Sequence, residues 1–173
     1  MTEIFFDIET LGLEPTTDKI VAVSIAYNNN DEFPAIVSSA FDNEVTLLEL
    51  FWKMVSQVEN PVLISFNGNR FDIPFIIKRS IMHGVKCCKF ESKDVMQACN
   101  SYPKFSSEPI QRGSLRFWAR QMGIEVLTQD GNMIPAMHYN GDMKGIENHC
   151  SEDLTILIKL WKRLEYCNLK WLT

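Results

Sequence analysis

The sequence predicts an α/β fold in which helices flank a mixed β-sheet. Three observations carry this. Three short apolar segments separated by turn-length gaps open the chain, and such gaps favour antiparallel pairing into a meander. A stretch with apolar residues at helical spacing follows, and then a short, continuously apolar segment of the kind buried inside a sheet. Beyond it the patterns are mostly helical. A meander joined by a helical crossover to further, parallel strands gives one sheet with helices packed on it.

The elements come in this order. "EIFFDIE" is the first strand and "KIVAVSIAY" the second, and the polar "NNNDE" turn leads into a third, "FPAIVSS". In "DNEVTLLELFWKMVSQVENP", Val45, Leu48, Trp52, Val55 and Val58 recur at helical spacing, with Asp42 as N-cap and Asn60-Pro61 as the stop. "VLISF" is the buried strand. A helix follows from Pro74 to His83, closed by Gly84, and another over "SLRFWARQM", capped by Ser114 and stopped by Gly123. The last helix runs from Met143 to Leu164.

At 173 residues the chain suits one domain, residues 1–173, with a sizeable core. Its 46% hydrophobic and 23% charged residues match an ordinary globular protein. No apolar run approaches a membrane span, and "MTEIFFDIET" lacks the basic leader of a secretory signal. The five cysteines form no CxxC pair, so neither a zinc site nor a disulfide framework is indicated. A reducing, cytoplasmic setting is the expectation. The net charge of −5 excludes nucleic-acid binding by bulk electrostatics and fits a local carboxylate site for cations.

Three short stretches carry the chemistry. In "FFDIET", Asp7 and Glu9 stand two apart on a strand, so both point to one face while Phe6 and Ile8 point to the other. Two acids on one face of a central strand repel each other unless a cation neutralises them, and Mg²⁺ favours such oxygens. An edge strand with a solvated polar face is the structural alternative. In "LISFNGNRFDIPF" the apolar strand breaks at Asn67-Gly68-Asn69, a tight turn that brings a strand end and a helix start to one point. Asp72 there is either a site acid or a simple helix cap. In "HCSED", His149 stands four residues before Asp153, about 40° around a helix axis, so the two share a face beside the apolar stripe of Leu154, Leu157, Trp161 and Leu164. The alternatives are an acid in a first turn, aided by the helix dipole, and a surface histidine. Arg112, Arg116 and Arg120 form a basic stripe, and Lys78 and Arg79 add charge after the second motif; each set reads as a substrate grip or a solvated helix face. Asp94 in "SKDVM" has no assignment.

Taken together, in this order, the three stretches resemble the DEDD, or DnaQ-like, 3′–5′ exonuclease superfamily, whose fold is RNase H-like. The wording of the second motif is similar to the exonuclease domain of family B DNA polymerases and of small stand-alone relatives. The resemblance spans Glu3 to about Leu164. One feature departs from it: the histidine branch places its His five residues before the last Asp, whereas His149 stands at the four-residue spacing of the tyrosine branch.

The resemblance implies two divalent ions, Mg²⁺ or Mn²⁺, about 3.5–4 Å apart, that generate the nucleophile and neutralise the transition state. It implies that Asp7 bridges the ions, that Glu9 and Asp153 hold the ion carrying the water, and that Asp72 assists the other through water. Neutral His149 accepts the proton of the water. Thr10, Leu11, Asn67 and Asn69 would contact the terminal nucleotide, and Phe71 either stacks on it or joins the core. The implied substrate is a single-stranded DNA or RNA 3′ end, with no membrane partner and with room for a protein partner that supplies targeting. Two alternatives stay open: a catalytically degenerate binding or interaction module, and an RNase H-like endonuclease. An imidazole of ordinary pKa, near 6.5, acting as base predicts activity that falls at acid pH; a profile flat from about pH 5 to about pH 8 at saturating metal would remove His149 from that role.

Overall fold

The computed structural model describes residues 2–28, 35–100, 113–127 and 131–173. Most of the "NNNDE" turn, the first two residues of the third predicted strand, and Arg112 lie outside the described residues. In chain order the elements are β1 (Thr2–Thr10), β2 (Ile20–Tyr27), β3 (Ile36–Ala40), α1 (Glu44–Val55), β4 (Pro61–Ser65), α2 (Asp72–His83), β5 (Glu91–Asp94), α3 (Val95–Cys99), α4 (Leu115–Gln121), α5 (Ile134–Tyr139) and α6 (Met143–Tyr166).

The strands form one mixed, RNase H-like sheet in the order β3-β2-β1-β4-β5. The meander pairs antiparallel, with Asp7 opposite Ser24 and Ser24 opposite Ser38. β4 and β5 add in parallel, with Phe5 opposite Ile64 and Ser65 opposite Asp94. Among the described residues, no helix is long and apolar enough to cross a membrane.

β1 is the hinge of the packing because period-two alternation gives it two buried faces. Ile4, Phe6 and Ile8 pack with Leu47, Phe51 and Trp52 of α1 and with Phe75 and Ile76 of α2. Phe5 turns to the opposite side, where Leu154, Leu157 and Trp161 of α6 meet Leu115 and Ala119 of α4. Asp7 and Glu9 continue the Phe5 side along the strand. β4 ends at Ser65, level with the middle of β1, so the acidic end of β1 runs past its parallel neighbour. The turn that joins β4 to α2 fills that space.

Several boundaries differ from the sequence expectation. Asn43, not Asp42, caps α1 by accepting from the Thr46 amide at 3.4 Å; Asp42 instead pairs with Lys19 and with His138. α2 begins at Asp72, two residues before the expected start, and α6 continues to Tyr166. Gly84 and Gly123 close α2 and α4 at φ 69° and 68°, where a side chain would be strained. Arg79, expected as a substrate grip or solvated charge, is buried. Its guanidinium forks onto Glu44 (Nε at 2.8 Å) and donates to the Pro15 carbonyl at 3.2 Å, while Glu44 also accepts from the Ile20 amide. This network ties α1 and α2 to the loop after β1.

The turn after β4 depends on Gly68. A Cβ there would sit 1.9 Å from Ser65 Oγ and 2.5 Å from Ser65 Cβ, too close for either to yield. Gly68→Ala is expected to lower stability by about 1–3 kcal/mol through overpacking, measured by denaturant unfolding; an unchanged midpoint would show that the turn relaxes freely.

Candidate active site

The three motifs meet at one end of β1. Asp7 is half-buried there, and Glu9 and Asp72 are buried. Asp72, the first residue of α2, turns its carboxylate back to β1, where the Ile8 amide and its own amide stabilise the charge. It is the first residue of α2 and not its N-cap, a position that Phe71 takes. His149 and Asp153 project from α6 onto the same space. His149 Nδ1 lies 2.7 Å from Glu9 Oε1 and 3.9 Å from Asp153 Oδ2. Ligand atoms of Glu9, His149 and Asp153 lie within 4.8 Å of one another, and so do those of Asp7, Glu9 and Cys150. The two triads share Glu9, whose two carboxylate oxygens let it serve both. One triad adds a thiol and the other an imidazole, but the carboxylate oxygens of Asp7, Glu9 and Asp153 are donors of the kind that divalent magnesium or manganese takes.

A cleft of about 310 Å³ opens on these groups. Phe66, Asn67, Phe71, Met96, Ser114 and Leu115 also line it. Of the expected substrate contacts, Asn67 lines the cleft at φ 65°, a conformation asparagine tolerates. Thr10 Oγ1 instead donates to the Gly12 carbonyl at 2.6 Å, and Leu11 packs against a small core with Val21, Ile134 and Ile146. Neither lines the cleft. Asn69 is exposed, and its amide points at Asp94. Phe71 both borders the cleft and packs tilted against Phe75 with ring centroids 5.5 Å apart, so it belongs to the core edge.

Three residues enter that the motifs did not assign. Asp94, 1% exposed, accepts from the amides of Asn67 (2.7 Å), Asn69 (3.3 Å) and Met96 (3.0 Å). It caps α3 and pins the second-motif turn. Cys150 directs its thiol at the Asp7 carbonyl and carboxylate, both at 3.6 Å. Arg116 breaks the expected basic stripe: Arg120 is exposed, but Arg116 is 5% exposed, and its guanidinium donates to Asp153 Oδ1 (2.5 Å), His149 Nε2 (3.1 Å) and Glu152 Oε2 (3.3 Å). An arginine can only donate, so in the neutral ring Nε2 accepts and the proton sits on Nδ1, facing Glu9.

Crowding of like charge perturbs the acids. Burial, then the charges of Glu9, Asp72 and Asp153, hold the Asp7 carboxyl well above its ordinary range. Burial is also the main cause at Asp72, pushed up to about 7, with Glu9 and Asp94 adding to it. Asp153 is pushed up to about 6 by burial, against the pull of His149 and Arg116. For His149, burial opposes protonation, but the hydrogen bond and charge of Glu9 and the charge of Asp153 outweigh it and hold the imidazole above its usual value. Asp7, Asp72 and Asp153 keep protons in a window, from about 4 for carboxylates to about 7, where the unfolded chain has released more of them, and His149 does the same from about 6.5 upward. Stability therefore falls as pH rises through that window. Melts in EDTA are expected to show a Tm that drops between about pH 5 and about pH 7.5, and added Mn²⁺ is expected to restore it by an increment that grows with pH. A Tm rising with pH in EDTA would contradict this charge balance.

Comparison with known proteins agrees with the fold. The family model described as the RNase H superfamily matches residues 4–165. An uncharacterised protein of Methanocaldococcus jannaschii is 29% identical over 98% of both chains. The catalytic polypeptide of DNA polymerase epsilon from Saccharomyces cerevisiae is 34% identical over 47% of this chain, and a DNA polymerase of Desulfurococcus is 34% identical over the same share. The chain spans only 4% and 12% of those polymerases. Among solved structures, the family B DNA polymerase of Pyrobaculum calidifontis superposes with a TM-score of 0.76 over 95% of this chain and 24% of the polymerase, at 14% identity. The ExoI/SSB-Ct complex superposes with a TM-score of 0.63 over 98% of this chain and 42% of its own, also at 14% identity. With its fold, its motif order and a match over nearly its whole length, the chain belongs to the RNase H superfamily, as an exonuclease-like member.

Proposed function

We propose that the protein is a metal-dependent 3′–5′ exonuclease that hydrolyses the terminal phosphodiester of single-stranded DNA or RNA and releases nucleoside monophosphates. The observation that carries this is the convergence of Asp7, Glu9, Asp72, His149 and Asp153, from three separate elements, on one cleft. The likeness to stretches of DNA polymerases favours a nucleic-acid substrate. The cleft volume of about 310 Å³ suits one terminal nucleotide rather than a duplex.

The donor set fits two divalent ions. The charges of Glu9, Asp72 and Asp153 all act on Asp7, Glu9 belongs to both candidate triads, and the raised affinity of Asp7 and Asp72 for protons marks a place short of positive charge. Asp7, Glu9 and Asp153 would hold the ions, with Asp72 assisting. Bound Mg²⁺ or Mn²⁺ would supply Lewis-acid polarisation of the phosphodiester and neutralise the charge that develops on it. His149 takes the proton of the attacking water at Nε2, while Glu9 fixes the ring through Nδ1 and stabilises the imidazolium that forms. Asn67 donates to the sugar or phosphate at the rim, and Phe66 and Met96 exclude water from the terminal base.

Matched DNA and RNA oligonucleotides labelled at either end, with Mg²⁺ or Mn²⁺, test this. Stepwise release from the 3′ end is expected, and Asp7→Ala should lower the rate by on the order of 10²–10³-fold or more, the range for removing one charge-stabilising group. Internal cuts would support the endonuclease reading, and binding without cleavage the degenerate one.

A further inference from the structure

We propose that Arg116 is an internal cation that competes with the divalent ion for Asp153, so that the Glu9–His149–Asp153 side of the site fills only as the guanidinium withdraws. The inference rests on the metal-dependent reading above and deepens it.

The two sides of the site are unequally supplied with positive charge. Among the described residues, no lysine or arginine forms an ion pair with Asp7 or Asp72. On the other side, the Arg116 guanidinium sits between Asp153 and Glu152 and also donates to the nitrogen of His149 that the proposed chemistry needs as proton acceptor. The contact is charge-assisted, with Arg116 buried and Asp153 partly buried, rather than a flexible surface pair. Arginine keeps its charge at every working pH, so it cannot yield by losing a proton. It can yield only by moving. A dication has twice its charge and prefers carboxylate oxygen, so it can take Asp153 in exchange. Glu152 then retains the displaced guanidinium, because it contacts Arg116 from outside both candidate triads.

Exchange of this kind makes the two ions bind unequally. The ion on the Asp7–Asp72 side has no lysine or arginine to displace among the described residues and binds first. The ion on the Asp153 side must displace Arg116 and binds second, more weakly. Release of Asp153 also releases His149 Nε2, so loading of that ion and availability of the base are one event.

Mn²⁺ binding to the substrate-free protein, followed by calorimetry and by the EPR signal of free Mn²⁺, tests this without any activity readout. The wild type is expected to bind in two unequal steps. Arg116→Gln should tighten the weaker step by at least about ten-fold, the lower bound from Coulomb's law in water for a unit and a double charge about 5 Å apart, and leave the tighter step nearly unchanged. Arg116→Lys keeps the charge that the buried carboxylates need but loses the fork that joins His149 to Asp153. It should tighten the weaker step by a smaller factor, about three-fold. Arg116→Gln should also lower the Tm in EDTA but not at saturating Mn²⁺, whereas a merely structural arginine would lower both. Unchanged or weaker Mn²⁺ binding in both variants overturns the proposal while the metal-dependent reading stands. Absence of Mn²⁺ binding by the wild type, with Asp7→Asn indistinguishable from it, overturns both.

Discussion

Everything at the active end of this molecule follows from two carboxylates two residues apart on its central strand. The period of a strand sends Asp7 and Glu9 to the same side, and the hydrophobic residues between and before them commit the other side to α1 and α2. The strand can be neither flipped nor shifted by one residue without burying both acids in that core. The acids are thus fixed beside a second core, the one made by α4 and α6, where unpaired charge is costly. The early end of β4 leaves their stretch of β1 open to a turn rather than to another strand.

The surrounding elements meet that constraint by bringing either more ligands or polar support. α2 starts with an acid that the Ile8 amide and its own amide partly support, offsetting some of the cost of burying the third carboxylate at a helix start. α6 brings an acid and an imidazole on one face, with its apolar stripe holding that face against the sheet. Asp94 does not join the cleft. It gathers three amides of the second-motif turn and of α3, and so sets where Asn67 and Asp72 stand. The result is a site short of positive charge on one side, which suits the binding of cations.

What the sequence made legible was what depends on local pattern. Turn-length gaps gave the meander, an unbroken apolar run β4, and glycine's access to positive φ the closures at Gly84 and Gly123, while the shared faces of Asp7 with Glu9 and of His149 with Asp153 follow from repeats of two or about 3.6 residues. β5 escaped because "ESKD" is short and polar, and it becomes a strand only by pairing with β4. Asp94 was unassigned for the same reason: its role comes from amides about 25 residues upstream. Asp42 and Asn43 are adjacent residues of equal capping ability, and Lys19 and His138, remote in sequence, engage the first. Arg116 showed nothing of its burial, because its partners lie 33 to 37 residues further on.

The two buried arginines show how similar chemistry can serve different ends. Arg79 and Glu44 form a closed set: the carboxylate takes Nε and Nη2 of one guanidinium, the Ile20 amide and His83, and the arginine has the Pro15 carbonyl besides. Nothing in that arrangement opens on the cleft, and breaking it would leave a buried charge alone, which costs about 3–5 kcal/mol. Such a pair holds elements together. Arg116 is shared among Asp153, Glu152 and His149, and Asp153 borders the cleft. If a divalent ion takes Asp153, the guanidinium keeps Glu152 and no charge is left buried without a partner. Exchange is therefore inexpensive at Arg116 and prohibitive at Arg79. The difference lies in the neighbours of each carboxylate, not in the arginine, which is why one pair belongs to the scaffold and the other to the working part of the site.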